Sequence, residues 1–360
     1  MGLETGTYIS DLVSTNPLGT DAKSQGDDHI RLLKSTIKAS FPNVNGAVSA
    51  TDEQLSAVAS YTGKNKIING NFDIWQRATS QTSSGYGSDD RWSNLNVGST
   101  KTHSQQSFTV GQSDVPTDPF YYSRTVVTTS AGASNYVVKS QRIEYVRTLA
   151  GKSAVLTFYA KADSAKPISI ELVQNFGTGG SPSSEVTAIG VNKITLSTSW
   201  VKYTVSISIP SISGKTLGTT VNTYLSVNFW FDAGSSFNSR TDTLGQQSGT
   251  FDIASVQLEE GTVATPFDIR PIGLEMHLCQ RYYEEGSEKI YLSALGSSTI
   301  SRTVAYRSLK RGSPSLSYST GGVYNYTPTS TEQSDNYGFS VNLTTTNELG
   351  FLWTANAELS

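Results

Sequence analysis

Tyr224-Leu225-Ser226-Val227-Asn228-Phe229-Trp230 reads with a period of two. In an extended chain Leu225, Val227 and Phe229 fall on one face, and Ser226 and Asn228 on the other, as in a strand lying against a core. The same period recurs at 155–160, 168–173, 200–207 and 251–258. Gly, Pro, Ser and Asn clusters at 177–184, 210–218 and 233–249 separate these runs. Many strands at such intervals predict a sandwich rather than alternating β-α units. The fold class is therefore mostly β, with one jelly-roll sandwich over residues 65–270. Trp200 and Trp230, inside alternating strands, are expected in its core.

Composition points the same way. Of 360 residues only 16% are charged, against about 25% in an ordinary soluble domain, and Tyr occurs 18 times. Short polar side chains compete with the helical backbone, whereas Thr and Tyr suit a pleated surface. The net charge of −3 provides no basic field for a nucleic-acid backbone. One cysteine, Cys279, excludes a disulfide framework and a thiolate metal cage. No apolar run has the length of a membrane span, and residues after Met1 lack a signal-peptide layout. A cytosolic product without membrane insertion is expected.

The flanks differ from the middle. Residues 1–62 carry helix chemistry: Asp27 and Asp28 are placed to cap a helix over 27–40, and Ile30, Leu33, Ile37 and Phe41 draw one apolar stripe before Pro42. A second capping start at Thr51–Gln54 precedes Leu55 and Val58. Helices this short are marginal alone, so 1–62 is expected to dock onto sister chains or a larger partner. Residues 271–287 read as a connector helix with Leu274, Leu278 and Tyr282 four apart, and 288–360 as a small distal β-domain of short strands. So thin a core favours association with copies of itself.

Three stretches carry a resemblance. Tyr8-Ile9-Ser10-Asp11-Leu12-Val13, Asn16-Pro17-Leu18-Gly19 and Gly26–Leu32 through Phe41-Pro42-Asn43 resemble the N-terminal segment of tail-fibre and other fibre-like structural proteins of tailed phages. Ile67–Arg77 with Asp90-Arg91-Trp92 resembles the entry of carbohydrate-binding-type jelly rolls. Val256–Gly261, Pro266-Phe267, Arg270-Pro271 and Cys279–Tyr283 resemble the same family's exit. The resemblance implies a virion protein: a homotrimeric tail fibre seated on a tail or head structural protein by residues 1–62. Its β-domains would contact host cell-surface glycans. A head fibre or capsid decoration protein would share this layout, and a glycan-active enzyme with a binding module is the further alternative. Linked copies would gain avidity from weak single contacts.

Flat aromatic rings match the apolar face of a pyranose, which makes Trp75, Tyr86, Trp92, Tyr121 and Tyr122 the candidate ligand contacts. The competing reading is that Trp75 and Trp92 fill the ends of the sandwich. Ile30, Leu33, Ile37 and Phe41 are the candidate docking residues. Asn69, Asn71, Asp73 and Asp252 carry oxygen ligands of the type that suits a structural calcium, which jelly rolls of this class often hold. No other cofactor is expected. No catalytic residue is assigned: His29, His103 and His277 lie in separate segments, and adjacent Glu259 and Glu260 on a strand face opposite ways.

Overall fold

The computed structural model describes residues 5–16, 18–20, 23–42, 63–290, 298–320, 328, 331–345 and 349–359. The chain divides into two compact units, 1–59 and 60–360.

In the first unit a 3-10 turn at Ile9–Asp11 precedes helix α1 (Gly26–Ser40). The expected caps have another role: Gln25 occupies the N-cap without a side-chain bond, and Asp27 and Asp28 pair with Arg31 at 2.5 and 2.8 Å. A guanidinium one turn along outcompetes the backbone N–H groups for these carboxylates. His29 and Thr36 are buried, and Ile9 N donates to Ser40 Oγ at 2.9 Å. The neighbouring stripe, Ile30, Leu33, Ile37 and Phe41, is 46–55% exposed. The second helical start, at Thr51–Gln54, lies outside the described residues.

The second unit opens with eleven strands in two facing antiparallel sheets. One contains β1 (Ser80–Gln81), β3 (Thr100–Ser107), β4 (Tyr121–Thr128), β6 (Ser153–Ala162), β9 (Val201–Ser208) and β11 (Gly249–Glu260), ordered β1-β3-β4-β11-β6-β9. The other contains β2 (Ser93–Val97), β5 (Tyr136–Glu144), β7 (Lys166–Asn175), β8 (Val186–Leu196) and β10 (Tyr224–Ala233), ordered β2-β5-β10-β7-β8. Leu156, Phe158 and Ala160 of β6 meet Leu225, Val227 and Phe229 of β10 in one buried core, as the period of two requires. A bulge between Ala254 and Gln257 of β11 shifts the register, with Ser255 at φ 48°. The inward series therefore changes parity, from Phe251 and Ile253 to Val256 and Leu258.

The segment before β1 seals one end of this core. Trp92 stacks on Phe72 at 5.2 Å, and its indole N–H donates to Asn69 O at 3.1 Å. Asn69 adopts φ 55°, while its side chain bonds Ile74 and Asp90 main-chain groups. Gly70 is required by crowding, since a Cβ there would lie 2.2 Å from Val256 O.

A short helical turn, α2 (Asn238–Thr241), follows β10. Helix α3 (Ile272–Gln280) is shorter than expected, because the chain turns at Arg281-Tyr282 and enters β12 (Tyr283–Ile290). Glu275 of α3 accepts from Asn69 N and Arg270, which fixes the helix to the start of the sandwich. The remaining strands are β13 (Ser298–Ala305), β14 (Ser315–Ser319), β15 (Thr331–Ser334), β16 (Gly338–Thr345) and β17 (Leu349–Asn356). They form two three-stranded sheets, β12-β17-β14 and β13-β16-β15, around Tyr306, Phe339, Val341, Phe351 and Trp353. After β17 the chain returns to the sandwich. Leu359 is buried with Tyr224 and Tyr282.

Candidate functional site

The outer face of the five-stranded sheet carries a groove. Because inward positions of β10 are odd-numbered up to Phe229, its even-numbered residues Tyr224, Ser226, Asn228 and Trp230 line this outer surface. Tyr136, Val138, Ser140 and Arg142 line it from β5, Leu95 from β2 and Val173 from β7, while Phe237 and Arg240 overhang it from the loop carrying α2. The enclosed volume is about 170 Å³, below the roughly 300–1,000 Å³ of drug-sized pockets and suited to a small unit of a longer ligand.

The groove has three zones. At one end Tyr136, Trp230 and Phe237 pack with centroids 5.1–5.7 Å apart, and Tyr136 and Phe237 remain partly open to solvent. The floor is polar: Ser140 and Ser226 hydroxyls lie 2.9 Å apart, and Ser226 Oγ donates to Asn228 Oδ1 at 2.7 Å. Buried Glu171 supports this floor, accepting from Asn228 Nδ2, Trp230 Nε1, Ala188 N and Arg240. At the far end Arg142 lies over the Tyr224 ring, 4.7 Å from its centroid. A stacking wall, hydroxyl and amide groups, and a cation can together hold a polyhydroxylated ligand by ring contact and hydrogen bonds.

None of the five aromatic candidates lines this groove. Trp92 is fully buried and presents no ring to solvent, so it fills the end of the sandwich. Trp75 packs against the core, stacks on His103 at 5.8 Å and donates to Phe72 O. The Tyr86 hydroxyl donates to Leu359 O at 3.3 Å. Tyr121 and Tyr122 lie on β4, in the other sheet, where Tyr122 packs with Phe108 and Trp200 at 4.8 and 5.2 Å. Trp200 is thus half-buried in an outer aromatic cluster under Lys161, not in the core. Trp230 is buried, but outside the expected sandwich core: it packs with Val138, Ala233 and Leu244 on the outer face, where its edge forms the groove. The groove residues were legible only as outward partners of core positions: the parity that put Phe229 inside put Ser226 and Asn228 outside.

The proposed calcium ligands separate into three settings. Asn69 is consumed by main-chain bonds. Asp252 takes a two-pronged bond from Arg124 at 2.8 Å. Asn71 and Asp73 line a pocket of about 220 Å³ with Asp118, Asp268, Arg270 and Glu275. Burial lifts the Asp73 carboxyl to about 6 there. Among the described residues no three acidic, His or Cys side chains group as metal ligands.

No family model matches the chain, and no curated protein matches it. Solved structures similar to it include a family 11 carbohydrate-binding module from Clostridium thermocellum, 12% identical, covering 52% of this chain and 98% of the module, TM-score 0.31. A xylan-binding domain from Paenibacillus barcinonensis is 11% identical over 57% of this chain and 99% of that domain, TM-score 0.30. The enzymatically active domain of a tailspike protein of bacteriophage CBA120 is 13% identical over 55% of this chain and 22% of its own, TM-score 0.32. Scores this low carry no argument about activity, and the sandwich rests on the strand order described above.

Proposed function

We propose that the chain is a non-enzymatic fibre subunit of a tailed-phage virion that binds glycans through the groove on its five-stranded sheet. The single observation that carries the binding role is the groove's composition: an aromatic end, a floor of Ser140, Ser226 and Asn228, and an arginine stacked on Tyr224. Support for attachment to a partner comes from α1, whose apolar stripe is half exposed beside the covered His29 and Thr36. The phage assignment rests on the sequence resemblance. Binding without cleavage is favoured because Glu171, beneath the floor, is tied by Arg240, Asn228 and Trp230, which leaves Glu185 as a single carboxylate among the described residues lining the groove rather than the pair that glycoside hydrolysis uses.

The test is adsorption of purified protein to host cells and to their extracted polysaccharide. Tyr136→Ala and Phe237→Ala should each weaken binding several-fold without loss of the folded sandwich. Unchanged adsorption in both would remove the groove from the binding surface. Release of reducing ends from the polysaccharide would overturn the non-enzymatic reading.

A further inference from the structure

The groove ends where the chain does something unusual. Residues 357–359 leave β17 and press into the sandwich beside Arg142 and Tyr224, the last groove residues. Arg142 Nη1 and the Tyr86 hydroxyl both donate to Leu359 O, and the Leu359 side chain packs on Tyr224. The Glu358 carboxylate is buried between Arg77 and Arg91. Arg311 donates to Ala357 O at 3.0 Å and to Val221 O at 2.7 Å. Four arginines thus converge on three residues, with Glu358 bridging Arg77 and Arg91 and Asp90 beside Arg77. Burial also raises the Asp90 carboxyl to about 7, which weakens it as a counter-charge near neutrality.

These arginines differ in what is left to bind. Arg91 is 1% exposed and spends its groups on Glu358 and Arg142 O, with its guanidinium stacked on Tyr282. Arg77 is likewise held by Glu358 and Tyr283. Arg142 has one hydrogen bond, to a main-chain carbonyl, and no carboxylate among the described residues bridges it. It is partly buried, lines the groove and lies over the Tyr224 ring. A guanidinium held over an aromatic ring, with N–H groups that no other described residue takes up, is suited to a planar carboxylate or to a phosphate. The other groove cation, Arg240, is already neutralised by Glu171. Exposed Glu185 lines the same end of the groove, with one carboxylate oxygen 3.4 Å from Asn175 Nδ2, and Asn175 pairs with Tyr224 across β7 and β10.

We propose that the groove takes an acidic saccharide, with the anionic group read by Arg142 at the end walled by residues 357–359. The proposal rests on the groove being the glycan site. Segment 357–359 acts as a positioning element: it holds Arg142 and closes the groove beyond it, so the charged sugar sits at a terminal position.

The test uses the full chain and matched probes, measured by titration calorimetry. These are oligogalacturonides, the same oligomers with every carboxyl methyl-esterified, and a glycerol-phosphate oligomer. The acidic oligomer is expected to bind about tenfold more tightly than its neutral ester, the scale of one charge-assisted hydrogen bond. Half-molar salt should remove most of that difference. Arg142→Gln should abolish the preference, so that acid and ester then bind with equal affinity, while Arg142→Lys should keep part of it. Preference for the glycerol-phosphate oligomer over both sugars would support the anion subsite and identify phosphate as the group read. Equal binding of acid and ester would overturn the proposal but leave the groove as a neutral glycan site. Binding of no saccharide would overturn both. Should Arg142→Gln fail to fold, the acid-ester contrast and its salt dependence in the unaltered protein decide the matter.

Discussion

The Asp89 carboxylate lies 2.5 Å from the Lys139 ammonium inside the sandwich, and neither group reaches solvent. His103 completes the cluster, with Nε2 3.0 Å from Asp89 and 3.2 Å from Lys139. Asn94 Oδ1 accepts from Lys139 at 2.9 Å, and Ser88 and Asn94 donate to Asp89. Rings of Phe72 and Trp92 stand 5.4 Å from the ammonium. Burial works to raise the Asp89 carboxyl, but His103 and Lys139 overcome it and hold it below the usual carboxylate range. Burial pushes Lys139 down to about 8 and His103 down to about 4, with Asp89 opposing both shifts.

His103 should therefore stay neutral in the folded protein down to about pH 4. An unfolded histidine titrates near 6.5, so between these values the unfolded chain holds the extra proton and stability falls as pH falls. The sign follows from the depressed pKa of a base: its full contribution is present above pH 6.5. The expected loss on acidification is about 2–3 kcal/mol from this group. Ring titration by NMR, with urea unfolding at pH 7 and pH 4.5 for the native chain and His103→Gln, measures it. A ring that protonates near 6.5 in the folded state would contradict the cluster's burial.

Breaking the pair from one side should cost more than replacing it. Asp89→Asn leaves the Lys139 ammonium buried without its anion and is expected to destabilise by roughly 3–5 kcal/mol. Asp89→Leu combined with Lys139→Met removes both charges and should cost clearly less than the two single changes added together. Urea midpoints for Asp89→Leu, Lys139→Met and the double variant give the coupling. Strict additivity would mean that the two charges act independently.

Much of the sandwich could be read before any coordinates. The five alternating runs became β6, β7, β9, β10 and β11, because the period of two follows from which side chains can face a core. Three kinds of information were not local enough to read. The bulge at Ser255 reverses parity within one strand, and its only sequence trace is a break in alternation. Trp92 and Trp200 exchange their expected settings because aromatic identity does not say which side of a sheet a loop will cover. The arginine cage joins Arg91 to Glu358 across 267 residues, a pairing no spacing rule encodes. The groove itself was half legible. Ser226 and Asn228 were recognisable as outward, but Arg142 and Phe237 reach them only through strand pairing and the turn at α2.

Glu358 is the next point of leverage. Arg91 is fully buried, and its carboxylate partner comes from the chain segment after β17. Glu358→Gln removes that charge and should cost roughly 3 kcal/mol, as expected for an uncompensated buried cation. Loss should be local at first: amide exchange at Ala357 and Leu359 should accelerate before exchange in β10. The Ala357 N–H bond to Tyr282 O, 2.7 Å, gives a single protected amide to follow. If its protection were unchanged, Glu358 would not be what seats the segment.

The stripe on α1 yields the last prediction. Ile30, Leu33, Ile37 and Phe41 are half exposed, whereas His29 and Thr36 beside them are covered. Apolar side chains at a three-four-four spacing cover themselves when identical helices pack side by side, at about 25 cal/mol per Å² removed from water. On the proposed fibre reading the full chain should run as a trimer in light scattering, and Ile30→Ser with Leu33→Ser and Ile37→Ser should shift it toward monomer. The sandwich has its own core and should unfold at an unchanged urea midpoint. A trimer that survives the triple change would assign assembly to the β-sheets after residue 282. A monomer in both proteins would leave the stripe to a different partner, and on the proposed virion reading the triple variant should then fail to enter particles.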